Sequence, residues 1–364
     1  MSSFCLGGLT DLLFPKQYNK DLAIAKNIYE TVNKSHPSLG KLALMEVLSD
    51  MANKCLLVVG CSGTGKSAIT KAVEQKVRRH TLYVDAVTVQ GLAKISKQLS
   101  NANVTILVDD LSKGQTQYSQ LATVLVFSEL TYTGFYRKLT GSLVLEIFGF
   151  KGSAIINLQP LLLKKIIASP EFETDVRDKA IRYYHLHFPQ QVNLNIPNIP
   201  IEIPSLEVRD YNIPEKVLKS ELYKKALDNF EHEFTKARAR EHLRHYLTAS
   251  AKLNKRETIT LADCWLIGEL SKNFRLEMEL FSKSDLEGER KLDVNVIPLL
   301  TALNTWKTPT IKDLCYRFSL KETRVRQIIE ELHEYARQVK GHSKIFPTVE
   351  AKQLLQELGE WENG

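Results

Sequence analysis

At 364 residues the chain is long enough for two or three domains and a substantial core. Hydrophobic residues make up 43%, charged residues 25% and aromatic residues 8%, which excludes disordered and fibrous classes. The net charge of +7 permits an anionic partner without requiring one.

No apolar run reaches the roughly 18 residues of a membrane span, and Met1-Ser2-Ser3-Phe4-Cys5 lacks the basic start and apolar core of a secretory signal. Cys5, Cys55, Cys61, Cys264 and Cys315 are scattered, with no CxxC and no metal-ligand spacing. The expectation is a reduced, cytoplasmic protein without structural zinc or membrane contact.

Residues 1–44 read as an N-terminal helical segment. From 45 to 190, β-prone runs alternate with helical stretches: Lys54–Val59, Leu82–Val84, Val104–Val108, Ala154–Ile156 and Arg182–Phe188. This alternation predicts an α/β domain with a mostly parallel sheet. Residues 191–214 space prolines through an isoleucine-rich run, which predicts an extended, ordered linker whose isoleucines cover a surface. Helical periodicity returns over 215–288 (Leu218, Leu222, Ala226, Phe230, Phe234), and Ser282–Lys291 is a charged patch. Residues 289–364 form a compact C-terminal unit.

Gly60-Cys61-Ser62-Gly63-Thr64-Gly65-Lys66-Ser67 fits GxxxxGK[ST], directly after a β run and before a helix-compatible segment opening at Ala68. Such glycines let backbone N–H groups curl around phosphate oxygens at a helix N-terminus. Lys66 reaches the outer phosphates, and the Ser67 hydroxyl can ligate Mg²⁺. The expected ligands are therefore ATP and Mg²⁺. The run Val104–Val108 ends in Asp109-Asp110, which places Asp109 opposite Ser67 for the metal. Asp110 is positioned to polarise an attacking water, a role more usual for Glu. On the strand ending Asn157-Leu158-Gln159-Pro160, Asn157 and Gln159 share one face. They either orient that water or cap the following helix.

With these motifs in one chain, residues 45–285 resemble the AAA+ ATPases. The resemblance implies a P-loop parallel sheet flanked by helices, followed by a helical lid, and activity as an oligomer. It implies that an arginine before the last strand reaches a neighbour's nucleotide; Arg177 fits best and Arg182 second. The bland alternative is a solvated helix with charge pairs. Arg238-Ala239-Arg240, Ala249-Ser250-Ala251-Lys252 and Thr260-Leu261-Ala262-Asp263 are similar to the lid of MCM and MoxR-type proteins. That likeness gives Arg238 the place of the lid arginine that senses the γ-phosphate, and makes Ser142–Gly152 an inserted hairpin. Asp-Asp also occurs in signalling ATPases of the STAND class.

Residues 293–350 read as a winged helix-turn-helix. Thr308-Pro309 is read as the start of its second helix, and Ser319–Glu322 as a capping box opening its third. Gly341–Pro347 supplies the wing. Lys321, Thr323, Arg324 and Gln327 would face a major groove, with Lys340 and Lys344 near phosphates. Later glutamates on the same helix leave protein docking as the alternative.

The sequence thus points to an oligomeric ATP-hydrolysing AAA+ enzyme that binds or remodels DNA, in the manner of a replication initiator, loader or helicase. The alternatives are a STAND-like regulatory switch and a MoxR-like protein remodeller.

Overall fold

A computed structural model of the chain describes residues 12–113, 116–140, 143–172, 176–189, 193, 195–204, 211–281, 295–339 and 342–361. Its centre is a five-stranded, wholly parallel sheet in the order β2-β3-β6-β1-β7. The strands are β1 (Cys55–Val59), β2 (His80–Tyr83), β3 (Val104–Val108), β6 (Ser153–Leu158) and β7 (Ala180–Tyr184). Between β3 and β6 the antiparallel hairpin of β4 (Tyr136–Thr140) and β5 (Leu143–Ile147) stands apart from the sheet. It begins before the expected Ser142–Gly152, and Ser142 lies outside the described residues.

The central strands are uninterrupted apolar runs because both faces are covered. Alternation sorts each strand between two cores: Cys55, Leu57 and Val59 face one cluster, Leu56 and Val58 the other. The first cluster is closed by helices Val89–Leu99, Gln117–Thr133 and Pro160–Ile167, and by the C-terminal unit. The second is closed by helices Ala23–Ser35, Gly40–Met51 and Lys66–Glu74, and by the helical region 215–274; Leu276 and Leu280 beyond it pack in the first cluster.

The Gly40–Met51 helix runs across the boundary expected at residue 44, and almost every residue of it is buried. In the proline-rich linker, Ile199 and Ile203 are buried and Ile203 bridges Val77, so these two isoleucines cover a surface, whereas Ile196 is exposed. The charged patch Ser282–Lys291 lies outside the described residues.

The C-terminal unit consists of helices Val296–Trp306, Ile311–Phe318 and Glu322–Glu331, a two-stranded hairpin β8 (Ala336–Gln338) and β9 (Ile345–Pro347), and helix Val349–Glu357. Two helix starts differ from expectation. Thr310, not Thr308, caps the second helix through a reciprocal pair with Asp313. Ser319 ends that helix in the left-handed region (φ 51°), and the third helix starts after Lys321 without a side-chain cap. A short polar turn read in one dimension fits either role, and the turn geometry decided for the stop. Lys340 and Gly341 lie outside the described residues. No helix among the described residues is long and apolar enough to cross a membrane.

Candidate functional site

β1 ends at Val59 and the chain turns at Gly60, whose N–H donates to Leu158 O at 3.2 Å. A Cβ at Gly60 would come within 3.1 Å of His185 O, and one at Gly65 within 2.8 Å of Leu39 Cδ1. Gly63 (φ 72°) and Gly65 (φ 87°) occupy the left-handed region, so the loop's tight curl depends on glycine there. Among the described residues, nothing accepts from the backbone N–H groups of Ser62 through Ser67. These donors meet the cleft at the start of the Lys66–Glu74 helix, where partial positive charge gathers.

Thr64 braces the loop from inside, its hydroxyl donating to Cys61 O at 2.8 Å. The Lys66 ammonium donates to Gly60 O and Cys61 O, both at 2.7 Å. Burial lowers the Lys66 pKa from its ordinary value to about 8, against the opposing pull of Cys61, Asp110 and Asp109. His185 backs the loop with its Nε2 3.1 Å from Thr64 O, and burial holds it down at about 3, so it is neutral.

Parallel strands put their carboxyl ends on one edge, and the cleft opens there, at about 400 Å³. Its wall includes Ser62, Gly63, Thr64, Gly65, Lys66, Ser67 and Ala68, together with Asp109, Asp110, Asn157 and Gln159. The expected phosphate, metal and polar strand-end residues therefore converge. β6 lies between β1 and β3, so Asn157 stands between the loop and the two acids.

Lys113 Nζ lies 3.5 Å from Asp109 Oδ2, while Asp109 Oδ1 is buried without a partner. Asp109 lines the same cleft as Ser67, and an orphaned carboxylate oxygen with a serine hydroxyl on one cleft wall suits a hard divalent cation. Asp110 accepts from Ser112 N at 2.9 Å. Asn157 is buried, donates to Thr70 Oγ1 at 2.9 Å and leaves its Oδ1 unpartnered. Gln159 precedes the Pro160–Ile167 helix but makes no capping bond, which leaves its amide to the cleft.

The rest of the wall was not legible beforehand. His36, Pro37 and Leu39 form one side with Pro189 and Asn193. The Asn193 amide donates to Ser35 O at 3.1 Å, and His36 Nε2 lies 2.8 Å from Asn195 O. This side comes from loops at two distant places in the chain, and neither has a motif. Arg317, from the C-terminal unit, completes the wall.

The three arginines expected to contact nucleotide lie elsewhere. Arg182 is fully buried on β7, with Nε 2.7 Å from Glu277 and 3.2 Å from Glu233, a structural role that excludes a finger. Arg177 precedes β7 and is half-buried, at the opposite end of the strands from the cleft. Arg238 is also absent from the cleft. Its helix, Lys236–Leu253, starts beside Asp178, and its guanidinium sits 4.3 Å from the Tyr132 ring centre and 3.1 Å from Glu241. Tyr132 lies against Lys54, at the amino end of β1, so Arg238 and Arg177 share that far edge.

The Thr260–Asp263 cap is present, with Arg256 bonded to Asp263 at 2.5 Å. His242 and His245 belong to no metal-binding cluster among the described residues. On the third C-terminal helix, Lys321, Thr323 and Gln327 are exposed, as is Lys344 on the hairpin. Arg324 pairs with Glu331 at 3.2 Å, and Gln327 donates to the same carboxylate at 2.9 Å.

The family model described as "Protein of unknown function (DUF815)" matches residues 38–127. That span carries the loop and both acids. Together with the parallel sheet it fits an NTPase-like fold. No curated protein matches the chain.

Proposed function

We propose that the chain is a P-loop ATPase of the AAA+ type that binds and hydrolyses ATP as an oligomer and acts on DNA through a C-terminal winged helix. The observation that carries this reading is one cleft at the carboxyl edge of a parallel sheet. It joins a glycine loop with free N–H donors, a buried lysine and a carboxylate with an orphaned oxygen.

In this reading the Ser62–Ser67 N–H groups cradle the phosphates, and Lys66 exchanges the Gly60 and Cys61 carbonyls for phosphate oxygens. Ser67 and Asp109 would hold Mg²⁺, which neutralises charge developing on the phosphates. Asp110 accepts a proton from the attacking water, and the amides of Asn157 and Gln159 orient it. Arg177 and Arg238 act in trans, because an oligomer that sets the far edge of one subunit against the next cleft brings them to the phosphates.

A second reading, a nucleotide-governed switch of the STAND type, is supported by Asp110 in place of Glu. It is also supported by the direct packing of the C-terminal unit on the loop. The exposed face of Lys321, Thr323, Arg324 and Gln327 supports a DNA partner, although Arg324 and Gln327 must first release Glu331. A MoxR-like remodeller would leave that face to a protein.

ATPase rates measured with and without single- and double-stranded DNA across a salt series separate these readings. Stimulation by DNA that fades with salt is expected. A DNA-independent rate sinks the DNA assignment, and undiminished turnover in Lys66→Ala sinks the site.

A further inference from the structure

The C-terminal unit does not hang from the core; it touches the loop. The Cys61 thiol is raised to about 11 by burial, with the Lys66 ammonium and the Thr301 hydroxyl pulling it down. Thr301 lies on the Val296–Trp306 helix. Four residues on, Thr305 accepts from Phe188 N at 2.9 Å, Asn304 donates to Leu186 O at 3.0 Å, and Trp306 stacks on Phe188 with ring centres 5.2 Å apart.

Against that stack lies Arg317. Its guanidinium is 5.4 Å from the Phe188 ring centre and 5.5 Å from that of Trp306. Several arginines elsewhere are matched to carboxylates: Arg79 to Asp50, Arg182 to Glu233 and Glu277, Arg256 to Asp263, and Arg326 to Glu322. Among the described residues, Arg317 has no carboxylate partner and is held by aromatic faces alone. Aromatic stacking fixes the guanidinium plane and leaves its edge donors for another acceptor. Arg317 lines the cleft that also holds Lys66 and Asp109.

A second cleft, of about 370 Å³, adjoins the first and separates the loop from the turn Phe318-Ser319-Leu320. Ser62, Gln159 and Arg317 line both. Arg317 therefore stands at the hinge between the nucleotide cleft and the turn that opens the Glu322–Glu331 helix.

We propose that Arg317 is a phosphate-binding residue supplied to the nucleotide cleft by the C-terminal unit, so that bound nucleotide clamps this unit against the loop. The proposal rests on the ATP reading above and adds its regulation. Nucleotide state sets the position of the turn, and with it the presentation of Lys321 and Arg324.

The test uses the full chain, with MgADP and MgATP as probes. Hydrogen exchange of residues 311–320 and nucleotide affinity are measured for wild type, Arg317→Met, Arg317→Lys and Lys66→Ala. Nucleotide is expected to slow exchange in this segment of the wild type. Arg317→Met keeps an apolar stem on the two rings. It should bind about tenfold more weakly or worse and lose that protection, since a charge-assisted phosphate bond is gone. Arg317→Lys, which keeps a cation over the rings, should recover part of the affinity. Wild-type affinity and protection in Arg317→Met overturn the proposal, as does equal binding by the Met and Lys variants. Absence of nucleotide binding by the wild type instead overturns the ATP reading, and the proposal with it. Loss of binding confined to Lys66→Ala leaves the ATP reading intact and removes Arg317 alone.

Discussion

Lys66 offers a test that turns on protons rather than on deletion. Burial brings its pKa down to about 8, so the ammonium is nearly full below pH 7 and only about one-tenth populated at pH 9. A phosphate in the cleft favours the charged form and raises the pKa in the complex. Affinity is then full below the free-state value and declines as pH rises through it. The phosphates themselves stay ionised across this range, their last proton leaving near pH 6. The expected decline in ATP affinity from pH 7 to 9 is about tenfold, or roughly 1.4 kcal/mol. Equilibrium titration with a fluorescent ATP analogue at constant ionic strength measures it. Lys66→Arg, charged throughout, should bind more weakly yet show a flat profile. A flat wild-type profile, or the same decline in Lys66→Arg, refutes the assignment of this lysine to the phosphates.

Four further outcomes follow from the packing. Gly65→Ala must hold φ near 87° and press Leu39 at 2.8 Å, so urea unfolding should show a loss of roughly 1–2 kcal/mol with weakened nucleotide binding. Arg182→Met leaves Glu233 and Glu277 buried without their cation and should cost roughly 3–5 kcal/mol. Arg177→Ala should lower ATP turnover in the oligomer while leaving nucleotide binding by the isolated subunit in place; unchanged turnover in the oligomer would remove the trans role. Burial alone would raise the Glu360 carboxyl, but Lys41 and the His187 bond outweigh it and hold the pKa at about 2. A depressed acid stabilises the fold above its ordinary value of 4.5, and that contribution fades as pH falls toward 2. Glu360→Gln should remove on the order of 3 kcal/mol at pH 7 and flatten the acid limb of the stability profile.

The loop, the acids and the polar strand end were legible because each is a local pattern whose chemistry needs adjacent residues. Strand positions were nearly as clear, since burial on both faces leaves continuous apolar runs such as Cys55–Val59 and Val104–Val108. The last strand was read late, at Arg182–Phe188 in place of Ala180–Tyr184, because Leu186 and Phe188 are buried beyond the ladder by the C-terminal unit. The edge at which Arg238 lies was not legible for a different reason: helical spacing fixes which face a residue occupies but not which end of the sheet the helix crosses. His36, Asn193 and Arg317 carry no local mark at all. They meet the cleft only because segments separated by more than 100 residues fold onto the same edge. Net charge was uninformative for a related reason: Arg182, Arg256 and Arg326 are matched internally, so the bulk count says little about any one surface.

The central claim is that the carboxyl edge of the sheet is a nucleotide site. Calorimetric titration of the full chain with MgATP, set beside Lys66→Ala and Asp109→Asn, tests it most directly. The account predicts one saturable site in the wild type, loss of binding in Lys66→Ala, and retained binding that no longer depends on Mg²⁺ in Asp109→Asn. No heat of binding in the wild type, or equal binding by all three proteins, would contradict it.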